Sequence, residues 1–554
     1  MTRIASGARG LATLVALVVA AHASLIGQAR KFYDDDPLAR EPETQSAAQV
    51  KAWDIDLTFD LAENLFGHPG DPRRPTPRAL NVNTIDEVPD SSWFTNRILA
   101  HPLSTEEMVR GPLVGAPPAP GKWAVVRPKQ AGFAPGFTMR DARGDLWFVS
   151  FDAKGFPEAA TGAILVANKI FWALGYWQVE NHLVSVSLDQ LTIGESAKVR
   201  PPSGKDRPMR LGDIEDVLRR AHRSPDGTYR AIAARAVPGR PLGGFRYYGT
   251  RPDDPNDVVP HEHRRELRAL KVFGAWTNLT DMKAGNTLDT LVTTDGRDLV
   301  RHYLQDVGST FGTGANAPHD YDEGWETLFN GSLVLKRLYT IGLFLQPWQT
   351  TSYVKNPAIG RFEGKDFDPP AWTPRVPTAA FLRARDDDTF WAARRVMAFS
   401  DDMIRAVVKT GQYSDPAAER LLADVLIERR DAIGDAYLNA INPVVDVKLD
   451  DAGTLTFDNA ACRTGVAVVP AGGYVIQWAR FDNNTGTSTA LGTSTADGAT
   501  PRSQAPAPLP SDPGAYIKLE IRAVQPPSAS WGVPIQVYFK RDGGWKLVGL
   551  ERMP

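Results

Sequence analysis

The residues best suited by type and spacing to do chemistry are Asp281, Asn286 and Asp306. They fall in TDMKAGNTLDTLVTTDGRDLVRHYLQDVG, which runs from Thr280 to Gly308. Residues 287–292 and 299–304 are rich in β-branched and apolar types, and Asp295-Gly296 between them is a strong hairpin signal. A hairpin there would return Asp306 to the end that carries Asp281 and Asn286. Two carboxylates and an amide are all oxygen donors. They suit Mg²⁺ beside a phosphate, because this hard cation prefers oxygen ligands. Asp and Asn also fold turns and cap helices without any further role, so the trio has to be weighed with the elements that would position it.

Upstream, residues 121–255 read as a strand-rich lobe with one main helix. Strands are expected at 122–127 and 146–151, with KQAGFAPGFTM as a glycine-containing turn between strands. A helix over 158–174 carries Ala163, Val166, Ala167, Ile170, Phe171 and Leu174 at helical spacing and stops at Gly175. Further strands are expected at 183–188 and 229–236, a short helix at 210–220, and a Pro/Gly-rich hinge at 237–249. Residues 256–443 are mainly helical apart from the hairpin, with helices expected at 262–278 and 325–344. Two late helices follow, one capped at Ser400 and one opened by Asp415-Pro416. Residues 444–554 alternate apolar and polar residues and read as a β module, with 482–514 as a mobile Gly/Ser/Thr/Pro loop.

A strand-rich lobe, a hinge, and a helical lobe opening with D-x₄-N, a hairpin and D-x-G resemble the protein-kinase-like superfamily, nearest its HipA-like and phosphoinositide-kinase-like atypical branch. The resemblance covers residues 121–443. It implies a two-lobed core; with the β domain appended at the C-terminus, the expected fold class is α+β. It implies Asp281 as the base for an acceptor hydroxyl, Lys283 meeting the transferring phosphate, and Asn286 and Asp306 as ligands of Mg²⁺ (or Mn²⁺) with ATP. Gly132 and Gly136 would flank the loop that covers phosphates.

The sequence departs from that pattern where the nucleotide is anchored. Ser150 stands where a strand Lys is expected, and Ile164 where a helix Glu would pair with it. Losing both partners is self-consistent, since losing one would strand a charge. Lys129, Lys154 and Glu158 are the candidate substitutes. The pattern is that of a pseudokinase or of a kinase with a relocated lysine. The alternative, from another class, is a non-catalytic envelope protein that binds a protein or a glycan.

Other constellations carry less. His261 and His263 form an H-x-H pair in PHEHRRE, but H-E-x-x-H is absent, and a capping, solvated role is expected there. His302 is expected under the hairpin. Ser309 directly follows Gly308, so no G-x-S-x-G elbow exists. Trp93, Trp348 and Trp372 are expected as anchors.

Composition narrows the class. The chain has 554 residues, 42% hydrophobic and 23% charged, with a net charge of −2, which argues against nucleic-acid capture. Cys462 is the single cysteine, so no internal disulfide can form. Arg3 and Arg9, an apolar run at 11–21 and Ala21-His22-Ala23 read as a signal peptide over 1–23. Export to a bacterial periplasm or exterior is expected, with an uncleaved anchor as the minor outcome and no other membrane span. Residues 24–120 read as a Pro-rich extension wrapping the core, anchored by Trp93.

Overall fold

The structure, a computed structural model, describes residues 30–129, 134–201, 204–341 and 343–553. The expected signal peptide and Gly132 lie outside them. Among the described residues no helix is long and apolar enough to cross a membrane. The chain divides into two compact units. One comprises residues 39–82 and 87–440; the other comprises residues up to 38, then 83–86 and 441–554.

The larger unit is built on a six-stranded sheet. Its strands are β1 (Trp123–Pro128), β2 (Gly136–Arg140), β3 (Leu146–Phe151), β4 (Asn181–Val186), β5 (Leu191–Ile193) and β6 (Tyr229–Arg235), in the order β4-β6-β3-β2-β1-β5. All neighbours are antiparallel except β1 and β5. Strand alternation sorts the side chains by face. Trp147, Val149 and Phe151 of β3 join Trp123, Val125, Phe137 and Met139 in a buried core on one face. Leu146, Phe148 and Ser150 point the other way. Helix α1 (Ala159–Leu174) is buried along nearly its whole length and ends at Gly175, with φ 121°.

The expected hinge contains a strand. β7 (Arg240–Gly243) pairs with the hairpin strand β8 (Thr287–Thr294), which pairs with β9 (Arg297–Leu304). The Pro/Gly composition had pointed to a hinge, but Pro241 sits on the sheet's edge strand, where no ladder N–H is required of it. Asp295 and Gly296 both take positive φ, 51° and 73°, as a tight two-residue hairpin turn requires.

Around this lie α2 (Leu270–Thr277), α3 (Asp386–Val396), α4 (Asp401–Lys409) and α5 (Pro416–Tyr437). Ser400 and Asp415 cap the last two through their side chains. The helix expected over 325–344 is confined to Gly331–Tyr339. It starts at the Asn330 cap, and none of its residues is buried.

The PHEHRRE run is not solvated. His261, Glu262, His263, Arg264, Arg265 and Glu266 are each at most 2% exposed. Charges can be buried there because partners come with them. Arg265 donates to Asp388 and Asp387 at 3.0 Å each, Arg268 donates to Asp388 at 3.1 Å, and Arg264 donates to Glu41 at 3.1 Å. Trp93 stacks on His302 at 3.5 Å, and His302 Nδ1 lies 2.7 Å from Asp289.

The smaller unit holds a three-stranded sheet (Val444–Leu449, Thr454–Asn459, Arg502–Gln504) and a five-stranded antiparallel sheet. The supposed mobile loop contributes Ser488–Ala496 to the second sheet and Arg502–Gln504 to the first. Its Ser/Thr alternation is that of a strand whose side chains stay mostly exposed, a pattern that composition alone reads as loop. Phe32 packs among Phe481, Tyr516 and Tyr538.

Candidate functional site

The candidate site starts from a loop that the hairpin closes. Asn278 ends α2 in the left-handed region (φ 54°), and its Oδ1 accepts from Trp372 Nε1 at 2.8 Å. The next residue but one, Thr280, is fully buried and donates to Glu323 Oε2 at 2.7 Å. Asp281 follows at the edge of solvent, ion-paired to Lys283 at 2.8 Å. A short 3₁₀ turn, Ala284–Asn286, leads into β8.

Asn286 fastens this loop to the far end of the hairpin. Its Nδ2 donates to the Asp281 carbonyl at 2.8 Å, and its own carbonyl accepts from the amides of Gln305 and Asp306 at 3.1 Å each. The hairpin therefore brings the backbones of Asp281, Asn286 and Asp306 to one end. Asn286 Oδ1 is the side-chain atom left for a cation. Asp306 Oδ1 accepts from the Gly308 amide at 3.0 Å, which fixes the carboxylate's direction.

Asp306 and Val307 form one wall of a cleft of about 600 Å³. The opposite wall is the outward face of the six-stranded sheet, with Thr138, Phe148, Ser150, Ile232 and Ala234, and Ile164 of α1 contributes as well. The volume is that of an ordinary small-molecule site. Its floor is largely apolar, and Phe148 is still 43% exposed. Ile164 is close enough to the turn after Asp306 that a Cβ on Gly308 would lie 2.8 Å from Ile164 Cγ1.

The expected site residues separate into three groups. Lys129, Asp306, Ser150 and Ile164 line this cleft. Asp281, Lys283 and Asn286 do not line it; Asn286 joins the Asp281 carbonyl to the backbone of Asp306. Lys283 is engaged by Asp281 rather than standing free for a phosphate. Lys154 and Glu158 do not line the cleft. The Lys154 amide bonds to the Arg220 carbonyl, and Glu158 accepts from the Ser414 amide at 2.9 Å. Glu158 turns away because it occupies a left-handed position (φ 65°) at the start of α1, held by Asp152. Gly136 opens β2 against Ser150 of β3, where a Cβ would lie 2.2 Å from the Val149 carbonyl.

Three contributors were missed from sequence. Arg127 and Arg235 line the cleft; β1 is bulged before Arg127, and the phase of a strand cannot be read through a bulge. His319 is buried, with Nε2 2.9 Å from Ser309 Oγ and Nδ1 3.7 Å from Glu323. Burial holds its pKa below the ordinary histidine value, against the pull of Glu323 and Asp281. His261 and His263 do not share a ligand. The first faces Asp257 at 2.8 Å and the second Asp71 at 2.9 Å.

Among the described residues no group of three or more His, Cys, Asp and Glu is arranged to hold a metal. Asp306 offers a carboxylate in the cleft, and Mg²⁺ is commonly held by one or two carboxylates, with substrate phosphates and water completing its shell.

No family model matches the chain, and no curated protein matches it. Two solved structures are weakly similar. One is the crystal structure of the Golgi casein kinase with Mn/ADP bound, 9% identical over 56% of this chain and 74% of that one, at a TM-score of 0.27. The other is a crystal structure of the Golgi casein kinase, 8% identical over 70% of this chain and 87% of that one, at 0.26.

Proposed function

We propose that the chain binds a nucleoside di- or triphosphate with Mg²⁺ or Mn²⁺ in the cleft between the sheet and the Asp306 turn. The observation that carries this reading is the composition of that cleft. An apolar floor suited to a base meets a wall that ends in a fixed carboxylate. Phosphoryl or nucleotidyl transfer is the chemistry such a complex would serve. In that chemistry Asp281, paired with Lys283 at 2.8 Å, is the group to accept a hydroxyl proton. The cation, when bound, would neutralise phosphate charge; Asn286 and Asp306 would hold it.

The absence of a Lys–Glu pair at Ser150 and Ile164 supports binding over rapid turnover, the reading of a pseudokinase. We also infer export, from the residues before 24. A second reading, a binding protein for an envelope protein or a glycan, is favoured by the exposed apolar residues of Gly331–Tyr339. Leu335, Leu338 and Tyr339 there are 69%, 71% and 93% exposed.

Isothermal titration with ADP, with and without Mg²⁺, tests the first reading. Binding that strengthens with Mg²⁺ and loses that dependence in Asp306→Ala is expected. Absence of binding, or an unchanged metal dependence in Asp306→Ala, contradicts it.

A further inference from the structure

We infer that Arg127 and Lys129 form the oligophosphate anchor of this cleft, an inference that rests on the nucleotide reading above. Val125 faces Met139, but Arg127 faces Thr138, so Val126 is an extra residue in a β-bulge. In an unbulged strand Arg127, two residues after Val125, would share its face and enter the core beside Trp123. The bulge reverses the phase and turns the arginine outward.

Residues directly opposite in a ladder share a face. One row therefore crosses the sheet from Arg127 through Thr138, Phe148 and Ala234 to Asn181, and all of these line the cleft. Lys129 stands one row further on the same face. Its amide donates to the Gly136 carbonyl at 2.9 Å, and the row continues through Ser150 to Ile232. Gly136 has no side chain and Ser150 a short one, so neither sends a long side chain toward Lys129. The backbone enforces this, since a Cβ on Gly136 would meet the Val149 carbonyl.

Neither cation has an ion-pair partner among the described residues. Arg235, further along the wall, lies 3.9 Å from Glu180. Two uncompensated cations, two residues apart, thus face the same cleft as Asp306. That charge pattern suits a polyanion whose far oxygens share a cation with a carboxylate. A solvated lysine and arginine would need neither the bulge nor the vacant row.

The test is calorimetric titration of the full chain with Mg²⁺ and, separately, ADP, adenosine and inorganic tripolyphosphate. Arg127→Gln and Lys129→Gln should each weaken ADP binding by about tenfold, the loss expected for one charge-assisted contact. Adenosine affinity and the ligand-free melting temperature should be unchanged, because both side chains are exposed. If the double variant binds ADP as the wild type does, the anchor is wrong and the nucleotide reading stands. If the wild type binds tripolyphosphate but neither nucleoside ligand, and the double variant loses it, the anchor stands and the nucleotide reading falls. Binding of none of the three by the wild type overturns both.

Discussion

At His319, one imidazole ties three parts of the site together. Ser309, three residues after Asp306, meets one ring nitrogen, and Glu323, which also holds Thr280 beside Asp281, lies near the other. Burial lowers this histidine's pKa, so protonation favours the unfolded chain. Its contribution to stability is complete above the ordinary histidine value of about 6.5. The contribution is lost as pH falls from there through the lower folded value. His182 and His263, also lowered chiefly by burial, act in the same direction. His261, raised despite burial by its pairing with Asp257, opposes them. Between pH 7.5 and 5.5 the wild type should therefore lose more melting temperature, or gain less, than His319→Gln. An equal change in the variant would show that His319 is not among the groups responsible. None of this was legible in sequence, because nothing in GSTFGTGANAPHDYDE announces that its serine and histidine meet. Their contact depends on how the loop folds back.

Among the elements, those with strong local signals were legible. The 287–304 hairpin follows from β-branched runs about Asp295-Gly296, and α1 follows from its apolar spacing and Gly175. Elements whose character is set by distant partners were not. Residues 260–266 look like a solvated, capped start to a helix. Asp387 and Asp388, at the start of α3, help allow that burial by pairing with Arg265, and they lie over a hundred positions away in sequence. The bulge in β1 is another such case, because register is a property of two strands. Asp388 joins Arg265 and Arg268 with all three side chains fully buried. Asp388→Ala should leave two buried guanidinium groups short of a partner and destabilise the larger unit by about 3–5 kcal/mol. A denaturant midpoint close to that of the wild type would contradict the view that this network holds α3 in place.

For the whole molecule, a net charge of −2 and a single cysteine exclude little beyond electrostatic capture of nucleic acid and internal disulfides. Function has to be read from the cleft. Asp306 was legible there as an oxygen donor. The apolar floor was not, because Phe148, Ile232 and Ala234 come from strands far apart in sequence and meet only through the sheet order. The central claim is that this cleft takes a nucleotide together with a divalent cation. Thermal melting of the full chain in ADP or ATP, with Mg²⁺ or Mn²⁺, tests it most directly. At about 100 times the dissociation constant, a bound nucleotide should add about 2.7 kcal/mol to stability. The metal-dependent part of that gain should vanish in Asp306→Ala. An unchanged melt across both nucleotides and both cations would contradict the account.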